Sequence, residues 1–157
     1  MDNIDIELLE ILSDNSRVTA ADIAKKVNLS IPAINKRISK LQRTGLISKF
    51  TALVDPTLAG KPIMTFILIN LQNFSAADSL MEYVNYDPDV LECYSVTGEY
   101  DYILKVCAQD VKALEKKLKV LKQHKGVVKT HTLFSLMECK FRPTILPAKE
   151  DQENAGK

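Results

Sequence analysis

The basic side chains that could neutralise phosphates are concentrated in one short block. Residues 23–54 contain seven Lys or Arg side chains and no Asp or Glu, whereas residues 1–22 contain six acids and one base. The net charge of the whole chain is only +1, so the total hides this block. Lys and Arg at such density bind nucleic-acid phosphates and release their counterions. The block therefore predicts contact with a nucleic acid.

Within this block, one predicted helix has the chemistry of a DNA-reading element. Ser30 can cap its start, and Ile34, Ile38 and Leu41 share one apolar side. At about 100° per residue, the polar side chains project away from that side or along its shoulders. Asn and Arg can also bond base edges. The predicted DNA-binding residues are Ser30, Asn35, Lys36, Arg37, Ser39, Lys40 and Arg43. The alternative is a charged face exposed only to water.

A second candidate site is the Gly98–Glu99–Tyr100–Asp101 segment. Gly98 allows positive φ and close approach of the backbone to a ligand. Glu99 or Asp101 could accept hydrogen bonds from an α-ammonium group, while backbone N–H groups could hold an α-carboxylate. A plain hairpin turn with solvated acids is the alternative interpretation.

The elements around the first site form a helix-turn-helix. Asp2 and Thr19 are expected to cap two helices before the one that Ser30 begins, and Gly45 should end the third. We assign residues 1–48 to this (winged) helix-turn-helix domain. Residues 49–62 are a hinge strand, extended over Lys49 to Val54, followed by a linker with Gly60.

The remaining elements predict an α+β fold with a ferredoxin-like second domain. Strands are expected at Ile63–Leu71, Val90–Thr97, Tyr102–Ala108 and Val127–Phe141. Ser75 with Asp78 resembles a capping box for one helix, and Asp110 should begin another that ends at Gly126. The order βαββαβ is the ferredoxin-like arrangement. We assign residues 63–142 to this domain and 143–157 to a polar tail, disordered from Lys149.

A second basic run, Lys112 to Lys125, lies in the last predicted helix. Its Leu residues keep helical spacing, so we interpret the lysines as the outer face of an amphipathic helix. Contact with DNA is the alternative interpretation.

Other function classes find little support in the sequence. No apolar run is long enough to cross a bilayer, and the acidic N-terminus does not resemble a signal peptide. Cys93, Cys107 and Cys139 lie far apart, as expected of reduced thiols in the cytoplasm. With only His124 and His131, no nucleophile–base pair, metal-ligand spacing or phosphate loop is present. We expect no enzyme activity, no metal and no cofactor.

The motifs together resemble one family over about residues 1–141. They are Asp5, Leu8–Leu9, Arg17, Thr19, Ala24, Leu29–Ser30, Arg37–Ile38, Leu41, Gly45, Ile47, Gly60, Gly98 to Tyr102 and Thr130–His131–Thr132. In order and spacing they are similar to the leucine-responsive regulatory protein/AsnC (feast/famine) regulators. The resemblance implies homodimers that pair through the sheet and assemble further, often to octamers. It also implies an amino-acid effector bound by Gly98, Glu99, Tyr100, Asp101, Thr130, Thr132, Phe134 and Ser135. Glu99 departs from the usual Gly-Asp pattern, so the effector's identity does not transfer.

The leading hypothesis is therefore a cytoplasmic regulator that binds double-stranded DNA and responds to a small molecule, with no membrane partner. A ligand-insensitive architectural DNA-binding protein is the second hypothesis. A tetrapyrrole decarboxylase of similar architecture is the third, and the intact basic helix argues against it.

Overall fold

The computed structural model describes residues 1–147, apart from the side chain of Phe74, and they fold into two compact units. Among the described residues, the first unit contains residues 1–52 and 140–147, and the second contains Leu53–Cys139. The expected disorder of residues 149–157 concerns a segment outside the described residues. The α+β fold class is confirmed.

Three helices form the first unit: α1 (Asn3–Asp14), α2 (Ala20–Lys26) and α3 (Ile31–Arg43). The three expected N-caps are confirmed, since the side chains of Asp2, Thr19 and Ser30 each accept a backbone hydrogen bond from the first turn. Gly45 follows α3 with a φ of +79°, where a side chain would strain the backbone. Local capping chemistry therefore sets where these helices begin and where α3 ends.

The core of the first unit lies between the three helices. Leu8, Ile23 and Ile34 are fully buried there, one from each helix. Spacings of three and four residues bring the apolar side chains of each helix onto one side. The remaining buried core residues are Leu9, Leu12, Ala24 and Leu41.

The C-terminal segment completes this core. We expected only a polar tail after residue 142, but Leu146 packs against the helical core while its neighbour Ile145 is 94% exposed. An Ile–Leu pair between prolines carries no helical or strand periodicity, so this contact could not be predicted from sequence.

The expected hinge strand does not form in the single chain. Residues 48–55 have no regular secondary structure, and Phe50, Leu53 and Val54 are exposed. A strand needs a neighbouring strand for its backbone hydrogen bonds, and this segment has none among residues 1–147.

The second unit has the predicted ferredoxin-like order. Its elements are β1 (Ile63–Leu71), a short 3-10 turn (Phe74–Ala76), α4 (Ala77–Tyr86), β2 (Val90–Ser95), β3 (Tyr102–Ala108), α5 (Val111–Gln123) and β4 (Val127–Phe134). The strands pair antiparallel in the order β2-β3-β1-β4. The two strand-helix-strand halves of this unit therefore interleave in the sheet, with β1 and β3 in the centre.

One face of the sheet holds the core of this unit. Ile67, Ile69, Leu104 and Val106 are fully buried there beneath α4 and α5. The opposite side, called the open face below, carries the alternate residues of each strand. These include Phe66, Leu68, Ile103 and Leu133, which are partly or largely exposed.

Several predicted boundaries in this unit are wrong. β4 ends at Phe134 rather than Phe141, because Ser135 N–H bonds Met64 O and β1 begins only one residue earlier, at Ile63. β2 ends at Ser95 rather than Thr97. α4 lacks the Ser75 capping box, because a 3-10 turn covers Phe74–Ala76 and makes Ala76 rather than Ser75 the N-cap. α5 ends at Gln123, three residues before Gly126.

A buried ion pair fixes α5 to the turn between α4 and β2. Lys117 pairs with Asp87, both side chains being 11% exposed, and lies 3.2 Å from Asp89. Burial acts to raise the pKa of Asp87, but the bond from Lys117 and other donors outweigh it and lower that pKa below 3.8. Burial and the bond to Asp87 also raise the pKa of Tyr83 to about 12. Asp87 therefore stays ionised at neutral pH.

Replacing Leu146 should loosen the first unit. Because Leu146 is partly buried, Leu146→Ala should lower the local opening free energy by about 1 to 2 kcal/mol, below the usual cost for a full core leucine. Hydrogen exchange of the α1–α3 amides would measure this. Ile145→Ala is the matched control and should change nothing; equal effects of both variants would contradict the packing of Leu146.

Removing the Lys117 ammonium should destabilise the second unit in a pH-dependent way. Lys117→Met leaves Asp87 buried without its cation, which should cost about 3 kcal/mol at neutral pH. In the wild type, the depressed pKa of Asp87 contributes stability that is lost as pH falls through it. In the variant that pKa should rise above its unfolded value, so protonation restores stability.

The two proteins should therefore converge in unfolding free energy as the pH is lowered from neutral towards 3.8, the ordinary pKa of an Asp. Urea titrations at several pH values would test this. Lys116→Met, on the exposed side of the same helix, is the control and should cost little at any pH. A difference independent of pH would refute the role given to Lys117.

Candidate functional site

The outward side of α3 presents the predicted polar residues to solvent. Asn35, Lys36, Ser39, Lys40 and Arg43 are all exposed, and α3 contains no acidic residue. Ser30 is also exposed, and its hydroxyl accepts from the N–H of Ala33 at 3.4 Å. Lys25 and Lys26, at the end of α2, add exposed positive charge to the same unit.

Arg37 has a different position from the other predicted DNA-binding residues. Its Nη1 lies 2.8 Å from Asp2 Oδ2 and 2.6 Å from Asp5 Oδ1, and Asp5 is almost fully buried. The backbone N–H of Asp5 and then the Arg37 guanidinium lower the pKa of Asp2, and both carboxylates raise the pKa of Arg37. Arg37 thus fastens α3 to the start of α1. Its place on the shoulder of the helix allowed either role.

The loop between β2 and β3 is held by its own backbone and by Asp101. Gly98 has a φ of +119°, and Val96 N–H bonds Asp101 O at 2.9 Å. The Asp101 carboxylate accepts from Leu71 N–H at 2.8 Å, beside a register shift between β1 and β4. Asp101 therefore supplies an acceptor to the end of β1, a structural role that its sequence position did not reveal.

Glu99 and Tyr100 meet two side chains of β4 that we did not predict for the site. Glu99 Oε1 lies 2.6 Å from Lys129 Nζ, which is 5.0 Å from the centroid of the Tyr100 ring. The Tyr100 and His131 rings are 6.2 Å apart, between centroids. The bond to Lys129 lowers the pKa of Glu99 and raises that of Lys129. Alternation along β4 could have indicated both residues, since each lies one position from a predicted Thr.

Asn70 completes this group of side chains. Its Nδ2 donates to the Glu99 carbonyl at 2.5 Å. Its Oδ1 is buried and has no hydrogen-bond partner in the part of the chain that the structure describes. Buried acceptors without a partner are uncommon in folded proteins.

The predicted β4 residues do not join this group. Thr130 lies opposite Ile69 and Thr132 opposite Ile67, so both are on the helix-covered side of the sheet. Phe134 lies opposite buried Thr65 on that same side, and Ser135 follows the strand. Glu99 and Tyr100 contact the open-face residues Lys129 and His131 instead.

No group of three or more His, Cys, Asp or Glu side chains in residues 1–147 is arranged to hold a metal ion. None of the described helices combines the length and apolar character that crossing a membrane requires.

Two family models match the chain, one on each side of residue 55. Residues 1–48 match a winged helix-turn-helix DNA-binding model. Residues 64–145 match the Lrp/AsnC ligand binding domain. The first match includes the exposed α3 side chains. The second includes Glu99, Tyr100, Lys129, His131 and Asn70, which we call the Glu99–Lys129 group.

Curated relatives match along nearly the whole chain. The HTH-type transcriptional regulator FL11 of Pyrococcus furiosus is 34% identical, covering 95% of this chain and 97% of the relative. The glutamate uptake regulatory protein of Zymomonas mobilis is 31% identical, covering 99% and 95%.

Solved structures agree in fold. Transcriptional regulator NMB0573 from Neisseria meningitidis, in complex with L-Met, has a TM-score of 0.88 at 28% identity, covering 92% of this chain and 96% of that one. AsnC of E. coli has a TM-score of 0.83 at 30% identity, covering 94% and 99%. These matches confirm the resemblance found in the sequence: the chain belongs to the Lrp/AsnC family of transcriptional regulators.

Proposed function

We propose that this regulator binds double-stranded DNA through α3 and that an amino acid bound to its second unit changes its DNA affinity or its assembly. The single observation that carries the proposal is the two-sidedness of α3. One side is anchored by Ile34, Leu41 and Arg37, and the other exposes basic and amide side chains with no acid among them.

In DNA binding, α3 acts as the recognition helix of the pair. Such a helix lies in the major groove, with its N-terminal turn nearest the bases. Lys36, Lys40 and Arg43 neutralise phosphates, and Asn35 is the side chain best suited to a base edge. Ser30 and Ser39 can donate to phosphates. Because its guanidinium is bound to two carboxylates, we leave Arg37 out of the reading set and give it the task of orienting the helix.

The effector site is the loop Gly98–Asp101 together with the Glu99–Lys129 group. Support comes from the match to a ligand binding domain and from the L-Met complex of the Neisseria relative. The Glu99 carboxylate is an acceptor for an α-ammonium group, and Lys129 is a donor for a carboxylate. We leave Thr130, Thr132, Phe134 and Ser135 outside this proposed site, since they lie on the other side of the sheet or beyond the end of β4.

Assembly provides the coupling between ligand and DNA. The exposed apolar side chains of the open face suit a homodimer, which could assemble further to an octamer. A ligand shifts such equilibria only if it binds one arrangement better than another. The place of action is the cytoplasm, where the DNA is, and no catalytic step is required.

A ligand-insensitive architectural DNA-binding protein is the second candidate. One observation favours it: both acids of the loop already have partners, Asp101 with the Leu71 N–H and Glu99 with Lys129. A ligand would have to displace or share those bonds.

Neutralising the α3 lysines should weaken DNA binding without changing the fold. Lys36→Gln with Lys40→Gln removes two phosphate contacts, so the slope of log Kobs against log salt should fall by about two. Anisotropy of a labelled duplex from upstream of the gene would measure it. Lys36→Arg with Lys40→Arg keeps the charge and should retain the slope. Binding by the Gln variant equal to wild type would refute α3 as the contact.

Removing the Glu99 charge should abolish the effector response and leave basal DNA binding intact. Glu99→Gln keeps the size of the side chain but loses the acceptor charge for an α-ammonium group. The same anisotropy assay, with and without a mixture of the twenty amino acids, compares it with the wild type. A normal response in the variant would place the site elsewhere, and no response in the wild type would favour the architectural protein.

Asp101→Ala tests the structural role of the neighbouring acid. It should lower thermal stability, because the partly buried Leu71 N–H loses its acceptor, which should cost about 1 kcal/mol, the low end of the range for an unpaired buried donor. Asp101→Asn keeps an acceptor oxygen and should retain most of the stability. Equal melting temperatures of Asp101→Ala and wild type would contradict this role.

A further inference from the structure

The outward side of α5 carries a row of lysines that the proposed function does not use. Lys112, Lys116 and Lys119 are all exposed. Their spacing places them within about 60° of one another around the helix, opposite the buried side chains of Leu114 and Leu121. With a rise of about 1.5 Å per residue, the row is about 10 Å long. We call these three side chains the α5 lysine row.

Helix stability accounts for Lys119, which pairs with Glu115 at i,i+4, but not for Lys112 or Lys116. Lys112 lies in the first turn, where the helix dipole favours acids rather than bases. Lys112 and Lys116 are four residues apart, and Lys116 and Lys119 are three apart, so like charges repel along the helix. Glu115, which pairs with Lys119 at 2.9 Å, is the single acid of α5. A bound polyanion would offset this repulsion between the lysines.

The helix that carries the row is held in place by packing against the sheet. Leu114 and Leu121 are buried, and α5 packs against β3 and β4. Lys117, the inward lysine, is committed to Asp87 and Asp89. Lysines held on a rigid helix lose less freedom when they bind than lysines on a loose segment would.

Two acids lie close to the row, the capping Asp110 and Glu115, and the acids of α4 lie away from it. The exposed acids Asp78 and Glu82 are on α4, which packs towards β2, whereas α5 packs towards β4 at the other edge of the sheet. The second unit is close to neutral in total, yet its positive charge is concentrated along one helix. A polyanion could therefore approach α5 at the β4 edge without passing over α4.

We propose that the α5 lysine row is a second DNA-binding surface, which holds the phosphate backbone in addition to the contact made by α3. This rests on the proposed function, because that function supplies the DNA. Lysine binds a phosphate as a point charge without the planar fork of arginine, and the row has no Asn, Gln or Arg. The contact therefore adds affinity and salt dependence without adding sequence preference.

The test uses the full-length protein and a triple variant, Lys112→Gln, Lys116→Gln and Lys119→Gln. Glutamine keeps helix propensity and similar length. Binding is measured by anisotropy over a series of salt concentrations, on a long duplex from upstream of the gene and on a scrambled duplex of equal length. The slope of log Kobs against log salt should fall by about three on both duplexes, because about three phosphate contacts are lost. The affinity ratio between the two duplexes should stay constant.

The matched control replaces the same three lysines by arginine, which keeps the charge and should keep the slope. An unchanged slope in the glutamine variant would overturn the proposal. So would a glutamine variant whose sedimentation shows altered assembly while its salt slope is that of wild type, since the row would then contact the acidic α4 side of a second copy.

The α3 glutamine variant, measured in parallel, separates this inference from the proposed function. If the α3 variant weakens binding and the α5 variant does not, only the second surface is lost. If neither variant changes binding, DNA binding through α3 fails as well.

Discussion

The contact of Arg37 with the carboxylates of Asp2 and Asp5 is the interaction that holds α3 against the start of α1. A helix that exposes one whole side must be held by the other, and α3 has only Ile34 and Leu41 buried for that purpose. Arg37 forms ion pairs with Asp5, which is itself buried, and with Asp2, which also caps α1. One cation thus satisfies a buried acid, steadies a helix start and sets the orientation of α3. The second unit has a similar arrangement: Lys117 holds α5 against Asp87, and the other lysines of that helix face solvent.

The parts of the fold that could be predicted from the sequence are those set by local chemistry. Asp2, Thr19, Ser30 and Asp110 begin helices because their side chains reach N–H groups three residues away, a relation visible in any sequence. The end of β4 could not be predicted, because it depends on where β1 starts, about 70 residues earlier. The Ser75 capping box did not form because a 3-10 turn precedes α4 and makes Ala76 the N-cap, which the Ser75–Asp78 spacing does not reveal.

The candidate sites divide in the same way. Exposure of the α3 residues follows from helical periodicity, so most of that set was correctly placed on the outward side. The Glu99–Lys129 group depends on the register between β1 and β4 and on the path of a loop, which bring residues 30 positions apart together. Strand pairing over such distances leaves no local mark. It decided that Lys129 and His131, rather than Thr130 and Thr132, lie beside Tyr100.

The position of Leu146 changes how the two units are connected. Because both ends of the described chain belong to the helical unit, the ferredoxin-like unit is an insertion within it rather than a domain appended to it. Two backbone connections therefore join the two units, one near residue 52 and one near residue 140. A single proteolytic cut in either connection would leave the units joined through the other. The second connection is short, since about six residues separate the end of β4 at Phe134 from the start of the first unit's C-terminal segment at Lys140.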